Sequence, residues 1–225
     1  MSKLSDQQII DAWGQNAAPW IATVLGQQIE SRKLVTDQAV VDAVVAFNPN
    51  TVLDVGCGEG WLARRLSDLG MAVSGIDVVP ELVEHAQRTC DGDFRVMAYE
   101  DLSTSEFGTK FDLAVCNFSL LGEASVERVF ATMTRLLHPG GHFVVQTLHP
   151  VVATGGDAYR DGWRSGSWAG FREAFRATPP WYFRTTESWL ALLRASGLDL
   201  VMFREPVHPE TGRAVSLVMV GRLRR

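Results

Sequence analysis

Apolar residues between positions 51 and 147 occur in two alternating patterns, short continuous runs and longer runs with helical spacing. The continuous runs predict buried strands, and the spaced runs predict amphipathic helices. The predicted strands are 51–55, 71–76, 94–98, 111–117 and 142–147, and the predicted helices are 61–69, 80–90 and 125–137. Strict alternation of this kind is typical of a parallel sheet with helices on both faces.

The pattern differs on both sides of this stretch. Residues 5–47 carry apolar positions at helical spacing and predict helices, which Asn48-Pro49-Asn50 ends. After Pro150 the alternation stops, and it resumes with a predicted helix at 187–195 and strands at 198–203 and 214–221. A turn-rich segment joins these two strands and permits antiparallel pairing. The sequence therefore predicts an α/β, Rossmann-like, seven-stranded and mostly parallel sheet whose last strand is antiparallel.

A length of 225 residues fits one domain, and we divide it into four parts. Residues 1–48 form a predicted N-terminal helical cap, and residues 49–150 form a ligand-binding core. Residues 151–186 form a predicted lid insertion, and residues 187–225 supply a final helix and strand pair.

The composition excludes several classes of protein. A net charge of −5 argues against a surface that neutralises nucleic-acid phosphates. Three cysteines, Cys57, Cys90 and Cys116, are too scattered for a disulfide framework or a metal site, and an odd count fits a reducing compartment. The N-terminus does not resemble a secretory signal, and no apolar run reaches the roughly 18 residues of a membrane span. We expect a cytoplasmic protein with no metal site and no membrane partner.

The strongest chemical signal is segment 52–60, VLDVGCGEG, which ends the first predicted strand and opens the first crossover helix. Glycines there let the backbone approach a ligand closely, and the helix N-terminus lies beside that ligand. Asp77, at the end of the second predicted strand, is placed to accept hydrogen bonds from ribose hydroxyls. The segment predicts a nucleotide-containing ligand at the carboxyl edge of the sheet.

The glycine spacing argues against a dinucleotide and therefore against a nicotinamide dehydrogenase. Dinucleotide sites use G-x-G-x-x-G/A, whereas Gly56, Gly58 and Gly60 follow the spacing G-x-G-x-G. Asp54 stands just before them, where its charge would repel a pyrophosphate. A carboxylate there suits the ammonium group of an amino-acid moiety.

The motif Asp54-x-Gly56-x-Gly58-x-Gly60 is similar to the glycine motif of class I S-adenosylmethionine-dependent methyltransferases. The resemblance spans roughly residues 50–150 and extends to the small-molecule branch of ubiquinone and menaquinone biosynthesis. It implies S-adenosylmethionine as cofactor, S-adenosylhomocysteine as product, and adenine beside Tyr99 or Glu100, although Ala98 replaces the acid that is frequent in the family. The candidate cofactor-binding residues are Arg32, Asp54, Gly56, Cys57, Gly58, Gly60, Trp61, Asp77, Val78, Tyr99, Glu100, Asn117 and Phe118.

Residues 117–120 follow the fourth predicted strand, and the resemblance places this loop beside the transferred methyl group. DNA and RNA amino-methyltransferases of this fold often carry Asn/Asp-Pro-Pro-aromatic there. Asn117-Phe118-Ser119-Leu120 lacks both prolines. Together with the negative net charge, this argues against a nucleic-acid acceptor.

Two further features indicate an acceptor pocket. His149 follows the fifth predicted strand at its carboxyl end and is a candidate catalytic base, because histidine titrates near neutral pH. A loop histidine held by the backbone is the other interpretation. The insertion 151–186 is rich in aromatic residues, which line many small-molecule pockets, although some must pack the insertion onto the sheet. The candidate substrate-binding residues are Trp20, Ser119, Tyr159, Trp168, Trp181 and Tyr182.

We therefore expect methyl transfer from S-adenosylmethionine to an N, O or C atom of a small, aromatic or heteroaromatic molecule. Two alternatives stay open: a methyltransferase that acts on tRNA or protein, and a non-catalytic S-adenosylmethionine-binding protein. The identity of the acceptor, the need for a general base and the oligomeric state do not follow from the sequence.

Overall fold

A seven-stranded sheet in the order β3-β2-β1-β4-β5-β9-β8 forms the centre of the computed structural model, which describes residues 4–172 and 174–224. Its strands are β1 (Thr51–Val55), β2 (Ala72–Asp77), β3 (Asp93–Val96), β4 (Phe111–Asn117), β5 (Leu137–Leu148), β8 (Leu198–Arg204) and β9 (Ser216–Leu223). Strands β1 to β5 pair in parallel, and β9 pairs antiparallel with both β5 and β8. The predicted fold is confirmed.

Helices cover both faces of the sheet. They are α1 (Asp6–Gly14), α2 (Ala17–Leu25), α3 (Asp37–Val45), α4 (Trp61–Ser67), α5 (Pro80–Thr89), α6 (Thr104–Phe107), α7 (Ala124–Leu136), α8 (Pro150–Ala153) and α9 (Thr186–Ala195). Alternate strand residues serve opposite cores: Leu53 packs with α7 and α9, whereas its neighbour Val52 packs with α3, α4 and α5. Burial on both faces explains why the strands read as continuous apolar runs.

The order of the strands places a crevice at one edge. The chain runs outward from β1 to β2 and β3 and then returns to β4, which pairs with the other side of β1. Ligands of open α/β sheets bind at such a reversal, outside the carboxyl ends of the strands. The glycine-rich segment after β1 and the loop after β4 meet there.

Strand β5 begins five residues earlier than the sequence predicts. Pro139-Gly140-Gly141, expected to close the preceding helix, instead lies inside β5, and α7 ends at Leu136. The pairing of β5 with β4 is irregular between Phe111 and Leu113, and Gly140 has a φ of 82°. A bulge with a glycine at positive φ lets these turn-type residues remain in a strand.

The insertion has more regular structure than its sequence indicates. Strands β6 (Gly162–Arg164) and β7 (Trp181–Phe183) form a separate antiparallel pair in which Trp163 stands opposite Tyr182. Their rings meet edge to face with centroids 5.6 Å apart. Cross-strand aromatic pairs stabilise such short strands, so contacts between β6 and β7 stabilise this part of the insertion.

Within residues 4–172 and 174–224, no helix combines the length and the apolar character needed to cross a bilayer. The same residues contain no group of three or more histidine, cysteine, aspartate or glutamate side chains arranged to hold a metal ion.

Candidate cofactor and acceptor site

The loop after β1 leaves no room for a side chain at Gly56. Its φ is 78°, and a Cβ added there would lie 2.3 Å from Cβ of Ser119 and 2.6 Å from the hydroxyl of Tyr99. The backbone N–H groups of Gly56 and Cys57 both donate to the carbonyl of Ile76, at 2.8 Å. The loop is therefore folded tightly over the end of β2, with glycine required at its first turn.

Asp77 ties this loop to the segment that follows β2. Its Oδ2 accepts from the N–H of Gly58 at 3.0 Å, and its Oδ1 accepts from the N–H of Val79 at 2.9 Å. Burial raises the pKa of Asp77, while the hydrogen bonds from backbone amides act in the opposite direction. The carboxylate is held in one orientation at the cavity wall.

Asp54 is a buried acid behind the glycine loop. Its exposed fraction is 1%, and its Oδ2 has no hydrogen-bond partner among the described residues. Burial, followed by repulsion from Glu59 and Asp77, raises the pKa of Asp54 to about 8. Asp54 does not line the cavity, but a cationic ligand group beside the loop would compensate its ionised form. The open glycine cradle and this acid therefore fit the amino-acid end of S-adenosylmethionine.

The loop after β4 closes the other side of the glycine segment. Ser119 donates from Oγ to the carbonyl of Val55 at 2.7 Å, and Tyr99 donates from its hydroxyl to the carbonyl of Ser119 at 3.1 Å. Gln146 donates to Oδ1 of Asn117 at 2.8 Å, which orients that amide. Phe118 has a φ of 54°, a strained conformation for a non-glycine residue and one that is common at binding sites.

One cavity of about 490 Å³ connects the glycine loop to the aromatic insertion. The predicted cofactor residues that line it are Arg32, Gly56, Cys57, Gly58, Trp61, Asp77, Val78, Tyr99, Glu100, Asn117 and Phe118. The predicted substrate residues that line it are Trp20, Ser119, Trp168, Trp181 and Tyr182. Its volume is in the range of small-molecule sites.

Four predicted site residues lie outside the cavity wall. Asp54 and Gly60 are two of them. A Cβ at Gly60 would lie 2.9 Å from Cβ of Ala86, so this glycine permits close packing of α5. His149 is buried, with Nε2 2.7 Å from Oε1 of Glu205. Tyr159 donates from its hydroxyl to Oγ1 of Thr186 at 3.0 Å, at the start of α9. The predicted roles of His149 and Tyr159 stay predictions, and this geometry does not favour them.

The cavity has two surfaces of different origin. We call the glycine loop (56–60), Asp77 and residues 117–119 the floor; helices α1 and α2 with residues 166–172 and 174–184 are the roof. Trp13 of α1 meets Trp20 and Trp168 edge to face, with centroids 5.1 and 5.6 Å apart. The roof is therefore assembled from two segments that are distant in sequence.

A single buried amide joins those two segments. Asn16, with an exposed fraction of 0%, donates from Nδ2 to the carbonyl of Ala177 and accepts at Oδ1 from the N–H of Arg176, each at 2.7 Å. Asp6 links α1 to the start of α7, because its carboxylate accepts from the N–H groups of Glu123 and Ser125. Both contacts fasten the N-terminal helices over the cavity.

Arg32, a predicted cofactor-binding residue, lines the cavity. Its Nε donates to Oδ1 of Asp37 at 2.9 Å, and its guanidinium lies 4.7 Å from the ring centroid of Trp61. It begins a π-helical turn, Arg32–Thr36, an irregularity that is frequent at functional sites. The ion pair with Asp37 and the contact with Trp61 hold the cation at the wall.

Sequence reasoning missed several wall residues, namely Asp6, Ile9, Ile10, Trp13, Phe171, Arg184 and Trp189. Most are apolar or aromatic residues whose spacing predicts only a helix or a loop. Asp6 resembles an ordinary first-turn acid, and Arg184 is one of several arginines in the insertion. No local signal distinguishes these residues, because their position depends on tertiary packing.

Comparison with known proteins shows what the chain resembles. Residues 52–141 match the protein family described as a methyltransferase domain. A ubiquinone biosynthesis O-methyltransferase from Xanthomonas oryzae is 37% identical over 107 residues, which are 45% of this chain and 44% of that protein. The enzyme of the same name from Xanthomonas campestris is 36% identical over 118 residues, 50% and 49% of the two chains. The chain thus spans about half the length of these curated relatives.

Solved structures show the same fold over most of the chain. A 1,6-didemethyltoxoflavin-N1-methyltransferase from Burkholderia thailandensis superposes with a TM-score of 0.62 at 22% identity, covering 93% of this chain and 87% of that one. An S-adenosylmethionine-dependent methyltransferase from Clostridium acetobutylicum superposes with a TM-score of 0.66 at 13% identity, covering 92% and 98%. The predicted resemblance to class I S-adenosylmethionine-dependent methyltransferases is confirmed, with the sequence match centred on the floor.

Proposed function

We propose that this protein transfers a methyl group from S-adenosylmethionine to an N, O or C atom of a small, aromatic or heteroaromatic molecule. One observation carries the proposal: a single cavity is lined both by the glycine loop with Asp77 and by the tryptophan-rich roof. A site that only stored the cofactor would have no need of this apolar extension. The names of the matched relatives, which include O- and N-methyltransferases of small molecules, support the same reaction class.

The cofactor would supply an activated methyl group on a sulfonium centre. Asp77 would accept hydrogen bonds from the ribose, since its oxygens already point to the loop that borders the cavity. Gly58 leaves open space, because the nearest neighbour of a Cβ at this position would be Nε1 of Trp20, 3.9 Å away. Asp54 would compensate a positive charge, and Tyr99 and Glu100 would border the adenine.

The roof would orient the acceptor and exclude water. Holding two reactants in one cavity makes their encounter effectively unimolecular, and this positioning can supply several powers of ten in rate. Nitrogen acceptors that are neutral need little help from a base, whereas a hydroxyl acceptor needs a group to take its proton. We do not assign that proton to His149, because Nε2 of His149 faces Glu205 and the residue is absent from the cavity wall.

Calorimetric titration tests the cofactor half of the proposal. S-adenosylmethionine and S-adenosylhomocysteine should bind the wild type, and Asp77→Ala should weaken both by about a hundredfold, since charge-assisted hydrogen bonds and the loop contact are lost together. Asp93→Ala is the matched control, because Asp93 starts the neighbouring strand, pairs with Arg95 and lies outside the cavity. Absence of binding to the wild type would contradict the proposal.

Transfer of a labelled methyl group tests the second half. Purified protein with labelled S-adenosylmethionine should methylate at least one member of a panel of small phenols, amines and heteroaromatic compounds. Trp168→Ala and Trp181→Ala should raise KM for that compound more than they change cofactor affinity. Cofactor binding without transfer to any compound, but with transfer to tRNA or protein, would contradict the assignment of a small acceptor.

A further inference from the structure

Arg184 is a buried cation in the roof of the cavity. Its exposed fraction is 4%, and it lines the same cavity as the glycine loop. Nη1 donates to the carbonyl of Gly122 at 2.7 Å, and Nη2 donates to the carbonyl of Glu123 at 2.8 Å. Both carbonyls belong to the loop between β4 and α7. Residues 117–119 at the start of this loop form part of the floor, and Arg184 binds its other end.

The positive charge of Arg184 is only partly compensated. Among the described residues, no carboxylate oxygen lies within 4.0 Å of its nitrogens. Glu123, the nearest acid in sequence, accepts from Nε1 of Trp163 at 3.0 Å. Burial lowers the pKa of Arg184, and the more distant charges of Glu127, Asp161 and Glu123, with Tyr182, oppose that effect.

The guanidinium is also set among aromatic rings. Its Cζ lies 4.7 Å from the ring centroid of Tyr182 and 5.3 Å from that of Trp189. Hydrogen bonds to two carbonyls use two of the five N–H groups of a guanidinium. Buried charges are normally paired, and a guanidinium matches planar anions with two parallel hydrogen bonds.

We propose that Arg184 determines specificity by binding the anionic group of the acceptor, which is a planar aromatic or heteroaromatic acid. This inference rests on the proposed function and narrows its substrate class from aromatic molecules to aromatic anions. The anionic group is a carboxylate, because its two coplanar oxygens can accept two parallel hydrogen bonds from the guanidinium. The aromatic walls formed by Trp168, Trp181 and Tyr182 cover the ring that carries it.

Calorimetry with matched acid and ester probes tests the inference. The probes are 2-hydroxybenzoate, 4-hydroxybenzoate and quinoline-2-carboxylate, each compared with its methyl ester, in the presence and absence of saturating S-adenosylhomocysteine. Wild-type protein should bind at least one acid about tenfold or more tightly than its ester. Arg184→Gln should bring the two affinities together by weakening the acid, and Arg184→Lys should keep part of the preference, since it retains the charge without the planar fork.

Arg164→Gln is the matched control. Arg164 lies 4.0 Å from the ring of Phe183, but it pairs with Asp157 and does not line the cavity, so its replacement should leave the preference for the acid unchanged. The preference for the acid should persist at pH 6, where the carboxylate is ionised and a phenolic hydroxyl is neutral.

Three outcomes would overturn the inference: equal affinity of the wild type for acids and esters, no binding of any acid at millimolar concentration, and an unchanged preference in Arg184→Gln. The wild-type comparison stands even where Arg184→Gln does not fold. Binding of S-adenosylhomocysteine is read in a separate titration. Failure of the acid preference with intact S-adenosylhomocysteine binding therefore rejects this inference alone, whereas loss of cofactor binding in the wild type rejects the proposed function.

Discussion

The floor and the roof of the cavity are stabilised in different ways. The floor depends on backbone geometry: glycines at positive φ, amide groups bonded to Asp77 and a serine bonded to the end of β1. The roof depends on side chains, with tryptophan rings in edge contact and one buried asparagine between two distant segments. The family match at 52–141 covers the floor and stops before the insertion. In the proposed function, cofactor recognition would therefore depend on a local sequence motif, whereas acceptor recognition would depend on the packing of distant segments.

The largest expected effect falls on the floor. Gly56→Ala should lower the free energy of unfolding by about 3–5 kcal/mol, because the positive φ and the contact with Ser119 each cost free energy. Gly58→Ala is the matched control, since it shares the positive φ but has its nearest neighbour at 3.9 Å, and should cost about 1 kcal/mol. Denaturant unfolding measures both. Equal losses would show that the close approach of residues 117–119 does not constrain the loop.

A smaller effect on stability is expected when the link between the two segments of the roof is removed. Asn16→Ala should lower the free energy of unfolding by about 2–3 kcal/mol, because the carbonyl of Ala177 and the N–H of Arg176 lose their buried partner. Amide exchange at Arg176 should accelerate, while affinity for S-adenosylhomocysteine should change little. Gln15→Ala, which removes only an exposed hydrogen bond from the residue after α1 to the carbonyl of Asp11, serves as control. A large loss of cofactor affinity in Asn16→Ala would show that floor and roof are coupled.

The buried acid behind the floor should make stability depend on pH. The pKa of Asp54 is about 8 in the folded protein and near its ordinary value of 3.8 in the unfolded chain. Between these values the folded state holds a proton that the unfolded state releases, so this group lowers the free energy of unfolding as pH rises from about 4 to about 8. Asp54→Asn should remove that slope and be more stable than the wild type at pH 8. Urea unfolding at several pH values measures the slope, and an identical slope in both proteins would contradict the burial argument.

The smallest effect is expected at His149. His149→Gln should change kcat less than about threefold, because transfer of a proton by a positioned base is worth far more and the residue lies outside the cavity wall. Its contact with half-exposed Glu205 should contribute under about 1 kcal/mol to stability. A hundredfold loss of kcat with unchanged KM would restore the sequence-based role of His149 as catalytic base.

The sequence predicts the sheet and the floor well because both are encoded locally. Continuous apolar runs identify β1 and β4, and the glycine spacing with Asp77 identifies the edge of the sheet at which the cavity lies. Prediction is poorer where tertiary contacts override local signals. Pro139-Gly140-Gly141 has the composition of a turn yet lies in β5 across a bulge.

Prediction from sequence also has limits within the site. His149 follows a strand at the correct edge, but its direction is set by Glu205, 56 residues further along the chain. Asn16 and Arg184 have no motif around them, because their roles arise from partners at Ala177 and Gly122. Such contacts become visible only when the cap and the insertion are folded together.

The position of β9 has a consequence for how the chain folds. Strand β9 follows β8 in sequence but lies between β8 and β5 in the sheet, and its register joins residues 142–148 to residues 216–222. Strand β8 therefore joins the sheet only through β9. Pairing across so long a stretch of chain is slow, because closing the loop costs conformational entropy before any strand contact can offset it. During refolding the edge of β5 stays open, and the unpaired backbone groups there form a template for pairing with another chain.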